Sequence, residues 1–152
     1  MPQTANGREP YTATTRAVIE QLLRTWPQPR VEESTEWFSE DAVYVLHLSE
    51  AVLPFSGEAQ GLIQIRNALT ALRSGGSYLL FAPIIRDVTD EVGRVHVRFD
   101  YLHRLSGEVL SSTMRLVVTV SHRRIVRLEE FHDAPRVEAL FRYAAWKFRR
   151  HG

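Results

Sequence analysis

Residues 94–132 read Arg-Val-His-Val-Arg-Phe-Asp-Tyr-Leu-His-Arg (94–104), Leu-Ser-Gly-Glu (105–108), Val-Leu-Ser-Ser-Thr-Met-Arg-Leu-Val-Val-Thr-Val (109–120), Ser-His-Arg-Arg (121–124) and Ile-Val-Arg-Leu-Glu-Glu-Phe-His (125–132). Three runs rich in β-branched and aromatic residues, divided by short polar breaks, predict an antiparallel meander. Ser106–Gly107 suits a tight hairpin turn. His122–Arg123 falls at the next turn with less favourable chemistry. A strand over about 78–88 precedes the meander.

Upstream the period changes to that of helices. Val18, Leu22 and Trp26 share a face after Thr12, Thr14 and Thr15, three plausible N-caps, and Pro27 and Pro29 stop that helix. A second short helix is expected over Val31 to Phe38, then a strand over Ala42–Leu48. A loop with Pro54, Gly57 and Gly61 leads to a third helix, marked by Leu62, Ile65, Leu69 and Leu72 and ended by Ser74–Gly75–Gly76. Asp133 opens a last helix with the stripe Val137, Leu140, Phe141, Ala144 and Phe148. Helices first and a meander later predict an α+β fold.

At 152 residues, with 44% hydrophobic and 24% charged residues, the chain is sized for one domain, 1–152, with a core of about 11–135 and a helical extension of about 135–148. The absence of cysteine excludes disulfides, a thiolate nucleophile and Cys-ligated zinc. Nineteen Lys and Arg against eighteen Asp and Glu leave no basic excess, so no nucleic-acid partner is expected. Met1 to Thr15 has no apolar run of the secretory kind, and Leu79–Ile85 is far shorter than a membrane span. The expectation is a soluble cytoplasmic protein with no membrane partner. The basic end Lys147–Phe148–Arg149–Arg150 reads most simply as a favourable helix C-terminus.

No glycine-rich nucleotide loop, no His-Glu-x-x-His and no Gly-x-Ser-x-Gly occurs, so no cofactor and no metal are expected. Carboxylates remain. With two-residue hairpin loops, Arg98 faces Arg115 and Arg115 faces Glu130, while Asp100 lines up with Thr113 and His132. All would share one sheet face. Two readings stay open. In one, the apolar face is the core and the charged face meets solvent. In the other, the charged face lines a pocket, and Val97, Phe99, Met114, Leu116 and Phe131 form the interface of a homodimer. A one-residue slip in register would break either version.

This order of elements resembles the nuclear-transport-factor-2-like superfamily, the cystatin-like α+β cone of the SnoaL-like polyketide cyclases, ketosteroid isomerases, scytalone dehydratases and limonene epoxide hydrolases. The residues carrying it are Phe38–Ser39–Glu40–Asp41–Ala42–Val43–Tyr44, Gly57 to Gly61, and Arg124–Ile125–Val126–Arg127–Leu128–Glu129–Glu130–Phe131–His132–Asp133. The resemblance implies a curved, mixed or antiparallel sheet wrapped around three N-terminal helices, with a C-terminal helix added. It is similar in part to the limonene-epoxide-hydrolase site: Arg98–Phe99–Asp100 matches that family's Arg-x-Asp, its second acid falls on Glu130, and its water-positioning Tyr falls on Tyr44. Its Asn falls on Leu46, a departure. By that logic Asp100 is the acid, Glu130 the base and Arg98 the holder of both. Trp26, Trp37, Leu46, Arg115, Leu128 and His132 are candidate substrate contacts. The expected function is cofactor-free acid/base catalysis on an apolar ring compound, of isomerase, cyclase, dehydratase or hydrolase type. The alternative is a non-catalytic dimeric ligand-binding or interaction module.

Overall fold

The computed structural model describes residues 9–50, 53 and 56–151; Pro54 of the expected loop lies outside them. Its elements are α1 (Glu9–Thr25), α2 (Val31–Ser34), β1 (Phe38–His47), β2 (Gly57–Gln60), α3 (Leu62–Gly75), β3 (Gly76–Thr89), β4 (Val92–His103), β5 (Val109–Ser121), β6 (Arg124–His132) and α4 (Ala134–His151). The six strands form one curved, unclosed sheet in the order β2-β1-β6-β5-β4-β3. β1 and β6 run parallel and the other neighbours antiparallel, so the sheet is mixed.

Helix α1 begins before the threonines that the sequence offers as caps. Thr12 and Thr15 lie inside it and tie it to the β3–β4 turn, where Thr12 Oγ1 accepts from the Asp90 N–H at 3.2 Å and Thr15 Oγ1 donates to the Asp90 carbonyl at 2.8 Å. Ile19 and Leu22 on its inner side, and Trp26 just after its end, are fully buried. α1 comes close to the sheet at Gly93 on β4, where a Cβ would collide with Cδ1 of Ile19. Ile65 and Leu69 of α3 are likewise without exposure.

The helices lie over the sheet face carrying Val95, Val97, Phe99, Met114, Leu116 and Val118, all buried. That alternation was legible. The proposed dimer face is therefore the core itself, and the homodimer interface drawn through Val97, Met114 and Leu116 is withdrawn. Among the described residues no helix is long and apolar enough to cross a membrane.

Two registers differ from expectation. The β4–β5 connection is a four-residue loop, with the His103 N–H bonded to the Glu108 carbonyl at 2.9 Å and Gly107 at φ 72°. Arg98 thus pairs with Thr113 and Asp100 with Ser111. This shift is by two residues and leaves every side chain on its expected face. The β5–β6 hairpin does turn at His122–Arg123, both in the left-handed region at φ 51° and 62°. Four residues on, Thr119 pairs with Arg127 while Val120 pairs with Ile125, so Val126 is an extra, bulged residue. That single insertion flips the rest of β6: Glu130 pairs with Leu116 and His132 with Met114, on the apolar face, and Phe131 pairs with Arg115 on the outer one.

Candidate functional site

The bulge has a chemical result. It drives a carboxylate and an imidazole into the core side of the sheet, where a strand would ordinarily place apolar residues. Glu130 is 1% exposed. Its Oε2 lies 2.9 Å from Nε2 of His132, whose side chain is 8% exposed. Its other oxygen, Oε1, is buried, as are Nδ1 of His132 and Oη of Tyr44; among the described residues none of the three makes a hydrogen bond of ordinary geometry, although Tyr44 and Glu130 interact. Buried polar atoms are ordinarily paired, and each one left unmade costs about 1–3 kcal/mol. Three such atoms gather in one part of an otherwise apolar core.

Glu130 and His132 line a cavity of about 40 Å³. Its walls come from every layer: Leu46 of β1, Leu72 of α3, Tyr78 of β3, Phe99 and Tyr101 of β4, and Val137 and Phe141 of α4. One water needs roughly 10–15 Å³. The space therefore holds a few waters, and a ring compound enters only if a wall moves. α4 contributes Val137 and Phe141 to these walls.

The electrostatics follow from burial. Desolvation first, and the neighbouring Glu130 carboxylate second, hold the Tyr44 phenol well above its ordinary pKa. Tyr78 is raised by the same two causes in the same order. Both stay protonated and are donors at any physiological pH. Arg73, at the end of α3, is the nearby cation, its own pKa lowered by burial. It lies over the Trp26 ring, 5.9 Å from the centroid, and donates to the carbonyls of Trp26 and Gln28 and to Ser34 Oγ. It thereby clips α3 to the α1–α2 connection while facing the Tyr44–Glu130 pair with positive charge.

Of the expected site residues, Glu130, Leu46 and His132 line the cavity, and Tyr44 lies buried beside Glu130 without lining it. Asp100 and Arg98 are not with them. Both lie on the outer face, in an open groove with Ser111, Thr113 and Arg136. Arg115 is also outside, its guanidinium 5.3 Å from the Phe131 centroid. The Arg-x-Asp pattern and Glu130 thus sit on opposite faces, and the epoxide-hydrolase arrangement does not assemble. Trp26 stacks on Phe38 and meets Tyr44 edge-on at 5.4 Å, so it supports the site from behind. Trp37 packs at the start of β1 and Leu128 is fully buried; neither lines the cavity. Arg73 and Tyr78 were not among the expected residues. Arg73 had a signal: it falls four residues after Leu69, on the apolar stripe of α3, where a cation needs a reason. Among the described residues no cluster of His, Asp and Glu is arranged to hold a metal.

A curved sheet enclosing helices is the fold of the nuclear-transport-factor-2-like and SnoaL-like proteins, and the chain shares that fold. No family model and no curated protein matches the sequence. Solved structures do match. An NTF2-like protein of unknown function from Burkholderia pseudomallei is 11% identical with TM-score 0.75, covering 84% of this chain and 97% of that one. TerC, co-crystallised with polyporic acid, is 14% identical with TM-score 0.75, covering 85% and 98%. A provisionally assigned SnoaL-like polyketide cyclase from Jannaschia Sp. CCS1 is 13% identical with TM-score 0.63, covering 82% and 88%. At these identities the likeness is one of fold.

Proposed function

We propose that this protein takes an apolar ring compound into the cavity between sheet and helices and performs cofactor-free acid/base chemistry on it. The observation that carries the reading is the buried Glu130–His132 pair in the cavity wall. Oε1 of Glu130 is the base. It removes a proton from carbon or oxygen of the bound ring while His132, on Oε2, fixes the carboxylate and shares the charge change. Tyr44, which stays protonated, donates to oxygen as negative charge develops there. The surrounding side chains Leu46, Phe99 and Phe141 exclude water and strengthen each of these interactions. Such chemistry suits isomerisation, cyclisation or dehydration. The neighbour crystallised with polyporic acid supports a small-molecule occupant for this fold.

A second reading, a non-catalytic ligand-binding module, draws on the position of Asp100 and Arg98 in the outer groove, which leaves Glu130 without a second acid in the cavity. One experiment separates the two. Cyclic enones and hydroxylated aromatic ketones are incubated with the protein in D2O, with binding followed by saturation-transfer NMR and deuterium uptake by proton NMR. Catalysis predicts uptake with the native chain and binding without uptake for Glu130→Gln. Binding without uptake by the native chain establishes the module. No binding across the panel overturns both.

A further inference from the structure

The strand-bound site accounts for the inner side of α4 only. Val137 and Ala144 are buried, and Lys147 turns inward to donate to the Ser106 carbonyl at 2.9 Å and pair with Glu108 at 3.6 Å. The opposite side carries Arg142, Tyr143, Trp146, Arg149 and Arg150, at i, i+1, i+4, i+7 and i+8, which is one face of a helix. Tyr143 and Trp146 remain 45% and 48% exposed. Their rings lie 5.8 Å apart, and the Arg150 guanidinium sits 5.5 Å from the Trp146 centroid. Arg142 pairs with Glu138 at 3.7 Å, whereas no acidic partner meets Arg149 or Arg150 among the described residues. The helix holds five Arg and Lys against one Glu, a charge of +4, and the whole chain is only +1, so everything outside α4 sums to −3. Arg142, Arg149 and Arg150 lie beside Tyr143 and Trp146, while Lys147, Arg136 and the exposed Phe148 lie on other sides of the helix.

We propose that this outer face of α4 docks on an anionic phospholipid surface. The chemistry on both sides fits. Trp and Tyr settle at the headgroup level, and arginines around them meet the negative surface potential. The helix is about 27 Å long and needs only its own length to lie flat on a bilayer. A second copy of the chain fits poorly, because a two-fold contact would set these arginines against themselves. A nucleic-acid strand fits less well too, because a strand running beyond the helix would meet a remainder of the chain that sums to −3. The sequence alone reads the basic end as dipole complement; it is the exposure of Tyr143 and Trp146 beside it that changes the assignment. Docking there would hold the α4 wall of the cavity against the phase in which apolar compounds dissolve.

The test uses the full chain and phosphatidylcholine vesicles with and without phosphatidylserine, at low and at physiological salt. Co-sedimentation with the phosphatidylserine vesicles alone is expected, weakening as salt rises. The triple change Arg142→Gln, Arg149→Gln, Arg150→Gln should lower the affinity roughly a hundredfold. Trp146→Ala should lower it several-fold and remove the blue shift in tryptophan emission. All the altered side chains are exposed, and an unchanged melting curve verifies that each variant is folded. The proposal fails if the native chain ignores anionic vesicles or binds neutral ones equally. It fails equally if a polyuridine strand binds more tightly than the vesicles, or if Trp146→Ala acts by dissolving a dimer seen in light scattering.

Discussion

Tyr44 is a residue where the proposed chemistry can be tested apart from the fold. Its hydroxyl is fully buried beside the Glu130 carboxylate, and burial first and that carboxylate second keep it protonated. Tyr44→Phe should lower unfolding free energy by about 1 kcal/mol in urea denaturation, the interaction with the carboxylate being lost, and should abolish deuterium uptake by bound ketones. Unchanged uptake in this variant would remove Tyr44 from the proposed chemistry. His103 offers a pH dependence of known sign. Burial lowers its pKa below the ordinary 6.5. Its Nδ1 accepts from the Ser106 N–H at 3.3 Å, a bond lost on protonation at that nitrogen. Because the folded pKa is the lower one, the unfolded chain binds the proton first. Stability is therefore complete above about 6.5 and declines as pH falls from there through the folded value. Melting temperature across this window should fall less for His103→Asn than for the native chain.

Among the elements, the β5–β6 hairpin is the one that a designer would change first. His122 and Arg123 both hold left-handed backbone, which costs a side-chain-bearing residue about 1–2 kcal/mol each, and Asn-Gly is the pair suited to this turn. Replacing them as His122→Asn with Arg123→Gly should raise the melting temperature by several degrees, read by circular dichroism. The same hairpin shows what the sequence discloses and what it hides. The helices α1 and α3 and strands β4, β5 and β6 were legible because burial writes a period into each. β2 was not, since Gly-Glu-Ala-Gln has no strand propensity and becomes a strand only by pairing, Tyr44 with Ala59. The bulge at Val126 was hidden because Ile125, Val126 and Leu128 are all good strand residues, and nothing in their side chains says which one is extra. The face of Glu130 hung on that one count. Asp100 and Arg98 looked like its partners only under the unbulged register.

At the scale of the whole molecule, a cavity of about 40 Å³ walled in part by α4 predicts that ligand entry and α4 motion are one event. Hydrogen exchange in the Ala134–His151 segment should be fast in the free protein and slow several-fold on saturation with a ligand. Unchanged exchange under saturation would place the opening in another wall. The strand order carries a further consequence, in time rather than space. β1 is made early and β6 late, yet they lie side by side, with Tyr44 opposite Leu128. A ribosome must therefore deliver more than eighty further residues before β1 has its second neighbour. Contacts so distant along the chain close slowly. Until they close, β1 offers an open edge to any passing strand, and a newborn chain of this protein is at its most aggregation-prone just before Glu130 arrives.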